Sequence, residues 1–129
     1  MSTKLFNQFY GTKLKAPREI NAKITIGGTG APTLVSTTNY SNGVTSISRT
    51  STGLYVLTLV DVFPKLIGMN VTILHATNST CIPGCEIVSE TVATTKIITF
   101  KTLSAANTVA DPASGSIMYI RLLVDASKN

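Results

Sequence analysis

The chain is predicted to be all-β, an antiparallel β-sandwich of jelly-roll-like form preceded by an extended N-terminal arm. Three observations carry that expectation. Seven or eight runs of four to ten residues alternate apolar and polar side chains, the period of a half-buried strand. Clusters of Gly, Pro, Asn and Ser separate them, as turns between short strands require. No run of ten residues carries the i, i+3, i+4 pattern of an amphipathic helix. At 129 residues there is material for one such domain.

The elements follow in order. Residues 1–22 read as a basic arm and 23–129 as the sandwich domain. Residues 23–27 form a brief strand, stopped by Gly27-Gly28-Thr29-Gly30 and Pro32. Residues 33–36 form a second, and Asn42-Gly43 turns the chain into a third at 44–49. Ser51-Thr52-Gly53 then leads into the most hydrophobic strand, 54–63. There Leu54, Val56, Thr58 and Val60 face one way, and Tyr55, Leu57, Leu59 and Asp61 the other. Both faces are apolar, which places the strand at the centre of a sheet or along a subunit interface. Residues 64–68 read as a connector, with Leu66 and Ile67 packed beneath it. Strands follow at 70–76, 86–92 and 96–103. A long loop at 104–116 carries Asn107, Asp111, Pro112 and Gly115, and the last strand is 117–125, where Tyr119, Arg121 and Leu123 oppose Met118, Ile120, Leu122 and Val124.

Charge is sparse and uneven. Only 13% of residues are charged against 43% hydrophobic, less than a small monomer normally carries on its surface. Much of the surface is therefore expected to be covered by further copies or by a partner. Tyr55, Leu57, Leu59, Tyr119 and Leu123 are the candidate oligomer-interface residues. Of the net charge of +5, the first 23 residues hold +4, from Lys4, Lys13, Lys15, Arg18 and Lys23 against Glu19. A nearly neutral body with a basic arm disfavours nucleic acid, whose binders spread Lys and Arg over one face. The first 21 residues are broken by Lys4, Asn7, Gln8, Lys13 and Lys15, so no secretory leader is read there. No stretch approaches the ~18 apolar residues of a membrane-spanning helix.

The stock of catalytic groups is thin. Asp61, Glu86, Glu90, Asp111 and Asp125 fall on different strands or loops and read as turn or solvent-facing residues. His75 alternates with Val71 and Ile73 on an apolar face and reads as a packing residue. Gly27-Gly28-Thr29-Gly30 lacks the following helix that a phosphate loop needs. Cys81 and Cys85 flank a Pro-Gly turn, where they could bridge or stay free; with His75 they make too few ligands for a structural zinc. No enzyme activity, cofactor or metal is expected.

The run Gly30-Ala31-Pro32-Thr33-Leu34-Val35, then Gly43-Val44-Thr45-Ser46-Ile47-Ser48-Arg49-Thr50, Gly53-Leu54-Tyr55-Val56-Leu57-Thr58-Leu59 and Phe63-Pro64-Lys65-Leu66, resembles a cadence of small structural proteins of tailed bacteriophages. The loop Asp111-Pro112-Ala113-Ser114-Gly115 and the terminal strand are in keeping with it. That resemblance implies a β-sandwich, often trimeric, that decorates or cements the capsid or forms part of a fibre. The expectation is a homotrimeric virion protein, made in the host cytoplasm, that sits on the capsid surface and binds the major capsid protein. Lys4, Lys13, Lys15, Arg18 and Lys23 would anchor it. A tail- or head-fibre adaptor is the alternative within that class, and a carbohydrate-binding sandwich the alternative outside it.

Overall fold

The computed structural model describes residues 17–35, 41–77 and 84–126. It is a sandwich of two antiparallel sheets, and among the described residues no helix occurs. One sheet contains β1 (Pro17–Thr25), β2 (Thr33–Leu34), β5 (Lys65–Leu74) and β8 (Ile117–Asp125), in the order β2-β1-β8-β5. The other contains β3 (Val44–Ser51), β4 (Leu54–Leu59), β6 (Gly84–Glu90) and β7 (Ile97–Leu103), in the order β3-β4-β7-β6.

Alternation sorts the central strands between core and exterior. Ile20, Ala22 and Ile24 of β1 and Met118, Ile120, Leu122 and Val124 of β8 face inward. They meet Tyr55, Leu57 and Leu59 of β4 and Ile98 and Phe100 of β7. The Tyr55 and Phe100 rings stack with centroids 5.6 Å apart. The glycine-rich segment is a hairpin turn between β1 and β2: the Gly30 N–H donates to the Gly27 carbonyl at 3.0 Å, and Thr25 pairs with Thr33.

Strand β4 stops at Leu59, short of the expected 63, and β6 spans Gly84–Glu90 rather than 86–92; two further elements depart from the sequence reading, each for a local reason. The first strand starts at Pro17, six residues before 23, so residues 17–22, assigned above to the arm, lie in the sheet and pair with β8 from Pro17↔Asp125 onward. Proline is tolerated as the first residue of a strand. The charged Arg18-Glu19 pair is accommodated because Arg18 lies 5.9 Å over the Phe63 ring and Glu19 faces outward onto Arg121. The second departure is β5, which begins at Lys65 where a connector was expected. A bulge between Leu66 and Gly68 shifts the register, leaves Ile67 41% exposed rather than packed, and restores pairing at Gly68↔Leu123.

Candidate functional site

The outer face of the first sheet is concave. Because β1, β8 and β5 are in register, their outward residues form rungs across the sheet: Glu19, Leu123 and Gly68; Asn21, Arg121 and Asn70; Lys23, Tyr119 and Thr72. Arg121 donates from Nε and Nη2 to the two oxygens of Glu19, at 3.0 and 3.3 Å. Those hydrogen bonds hold the Glu19 carboxyl below the usual carboxylate range. The Lys23 ammonium sits 5.9 Å from the centroid of Tyr119.

Arg121 divides this face into two open grooves. One, of about 600 Å³, is lined by Asn21, Lys23, Asn70, Thr72 and Tyr119 and is mixed in polarity. The other, of about 330 Å³, runs past Gly68, Met69, Leu122 and Leu123 and is mainly apolar. Gly68 makes it a notch, since a Cβ built there would have nothing within 4 Å.

A second polar cluster lies at the end of the sandwich. The Asp111 carboxylate, in the loop between β7 and β8, accepts from Arg49 Nε at 3.0 Å and Nη2 at 2.7 Å, from the Gly53 N–H at 2.7 Å and from the Tyr55 hydroxyl at 3.0 Å. The Arg49 and Asp111 side chains are only 16% and 10% exposed. Burial pushes the Asp111 carboxyl up, but the Arg49, Gly53 and Tyr55 donors outweigh it and hold the carboxyl below its ordinary range. Burial, and then the bond to Asp111, raise the Tyr55 hydroxyl well above its ordinary value. Gly53, at φ +64°, lets the loop approach: a Cβ there would lie 2.5 Å from Val109 Cγ1 and 2.8 Å from the Ala110 nitrogen. Thr102 completes the seam, donating through its N–H to the Gly53 carbonyl at 2.8 Å and accepting from the Ala110 N–H at 3.0 Å. The arrangement is a latch tying the loop to the β3–β4 turn.

The residues singled out from sequence fall in different places. Tyr55, Leu57 and Leu59 are fully buried inside the chain's own sandwich, so they are core residues and leave no side chain for a neighbouring subunit. Alternation separated the two faces of β4, but with both apolar it did not say which turned inward. Tyr119 and Leu123 stand on the outer face, 41% and 38% exposed. Arg18 and Lys23 belong to β1, while Lys4, Lys13 and Lys15 lie outside the described residues. Cys85 carries a free thiol, and Cys81 also lies outside the described residues. Burial, with a smaller contribution from Glu86, pushes the Cys85 thiol up to about 11, which favours the thiol over the thiolate.

The acids read as solvent-facing divide as well. Asp111 joins the latch and Asp125 is 4% exposed, whereas Asp61 is exposed and Glu86 pairs with Lys101 at 3.2 Å. Among the described residues no three His, Cys, Asp or Glu side chains gather as metal ligands. No protein-family model, curated protein or solved structure matches the chain.

Proposed function

We propose that the chain is a structural subunit of a bacteriophage virion that decorates or cements the capsid by binding the major capsid protein. The observation that supports this best is the outer face of β1-β8-β5. It places exposed apolar side chains, Tyr119 and Leu123, on a central strand beside open grooves, which is the form of a contact surface. The low charge of the whole chain and its phage-like cadence point the same way. The anchoring set is Lys4, Lys13, Lys15, Arg18 and Lys23, the last two carried by β1, and its attachment to acidic patches on the shell would be screened by salt.

Co-sedimentation with empty shells tests the proposal. The full chain is expected to pellet with shells at 0.05 M salt and to be released progressively toward about 1 M, where the screening length is about 3 Å. A chain of residues 17–129 is expected to stay in the supernatant. Equal binding by the two chains would overturn the anchoring role, and a full chain that never pellets would overturn the capsid reading. The amides of Asn21 and Asn70 flanking Arg121 favour a second reading, a carbohydrate-binding module. A glycan array without hits would remove it.

A further inference from the structure

Between β4 and β5 the chain makes a short, well-braced protrusion. The Val60 N–H donates to the Gly43 carbonyl at 2.9 Å and the Phe63 N–H to the Val92 carbonyl at 3.0 Å. Phe63 itself is 5% exposed and packed in the core. Between those two fixed points Val60 and Val62 are 50% and 54% exposed, with the exposed carboxylate of Asp61 between them. An acidic residue flanked by two apolar ones, held on a rigid bend, is a preorganised ligand that loses little entropy on docking.

The outer sheet face offers the complement. The Gly68–Leu123 notch is apolar and, at about 330 Å³, has ample room to admit a valine side chain. It is bordered by Arg121, which spends only its Nε and Nη2 on Glu19 and retains further N–H donors, with Lys23 one rung away. We infer that copies of this chain associate head to tail, the Val60–Asp61–Val62 bend of one copy seating a valine in the Gly68–Leu123 notch of the next and directing Asp61 to Arg121. The contact joins two different patches, so it is heterologous and closes into a ring when the rotation between copies allows. It also accounts for a surface with few charges, because the apolar bend and the apolar notch cover one another. The inference rests on reading the chain as an assembling subunit, and it is tested without shells, so failure to bind shells and failure to self-associate are separate outcomes.

Light scattering and native mass spectrometry of the full chain provide the test. Wild type is expected to be a closed oligomer. Gly68→Leu projects its side chain into the notch from a position where a Cβ meets nothing within 4 Å, so it is expected to keep the wild-type circular dichroism and Tm while running as a monomer. Asp61→Lys, which sets like charges together at Arg121, is expected to weaken association on the order of 100-fold. A heterologous contact adds a signature: the Gly68→Leu chain keeps its bend and the Asp61→Lys chain keeps its notch, so mixing the two recovers a 1:1 dimer that neither forms alone. A wild-type chain that is monomeric at about 100 µM, a folded Gly68→Leu chain with undiminished oligomer mass, or a mixture that yields no heterodimer would each overturn the inference, against interface affinities that are micromolar or tighter.

Discussion

Deleting residues 1–22 is expected to unfold the protein, whereas deleting residues 1–16 is expected to leave it folded. The difference is six residues of β1. They carry the pairings from Pro17↔Asp125 to Ala22↔Ile120 and bring Ile20 and Ala22, 1% and 3% exposed, into the core. Losing the Ile20 side chain alone costs about 2–5 kcal/mol. Removing the strand also strips one edge of β8, whose backbone N–H and carbonyl groups are otherwise paired on both sides by β1 and β5. Together these exceed what a domain with a net stability of about 5–15 kcal/mol can lose. Circular dichroism melts decide the matter: the 17–129 chain is expected to melt cooperatively at the Tm of the full chain, and the 23–129 chain to show no cooperative transition. A 23–129 chain that melts near the full chain's Tm would show that β1 is dispensable. The consequence for the proposed function is practical, since only a truncation ending at residue 16 separates anchoring from folding.

Strands β7 and β8 were legible because their alternation is long and uninterrupted, and 117–125 matches Ile117–Asp125 residue for residue. At the start of β1, Pro17 and the adjacent charges Arg18 and Glu19 imitate a solvated tail. Their true partners, Phe63 and Arg121, are far away in sequence, and only the folded sheet supplies them. The same limit hid the first five residues of β5, where Pro64 and Gly68 imitate a connector. It hid the latch most completely: Arg49 and Asp111 are 62 residues apart, and each looks locally like an ordinary turn-flanking residue. The outer-face rungs were half legible. Tyr119 and Leu123 emerged from the alternation of β8, but their neighbours on β1 and β5 depend on strand order, which periodicity does not encode.

Replacing Asp111 by Ala is expected to destabilise the fold by about 3 kcal/mol, through the donors it abandons rather than the carboxylate it removes. The Tyr55 hydroxyl is held in a fully buried residue, and the Arg49 side chain is largely shielded from water, so each loses its partner where solvent substitutes poorly. For a domain of this size the loss lowers Tm by roughly 10 °C. The effect has a sign in pH. The folded-state value of Asp111 lies below its unfolded value, so its contribution is fully present above the ordinary carboxylate range near ~3.9 and is lost as pH falls through the lower folded value. Asp111→Asn should therefore lack that part of the acid sensitivity. Gly53→Ala attacks the same latch from the other side, adding a Cβ at φ +64° against the Ala110 backbone, and is expected to cost about 2–4 kcal/mol. If the latch is one unit, either change already separates the loop from the β3–β4 turn, and the double variant should cost at least about 1 kcal/mol less than the sum of the two. Denaturant melts of the four proteins measure that coupling. Costs that add to within about 0.5 kcal/mol would mean that Asp111 and Gly53 stabilise the end of the sandwich independently, and that the loop is not held by a single latch.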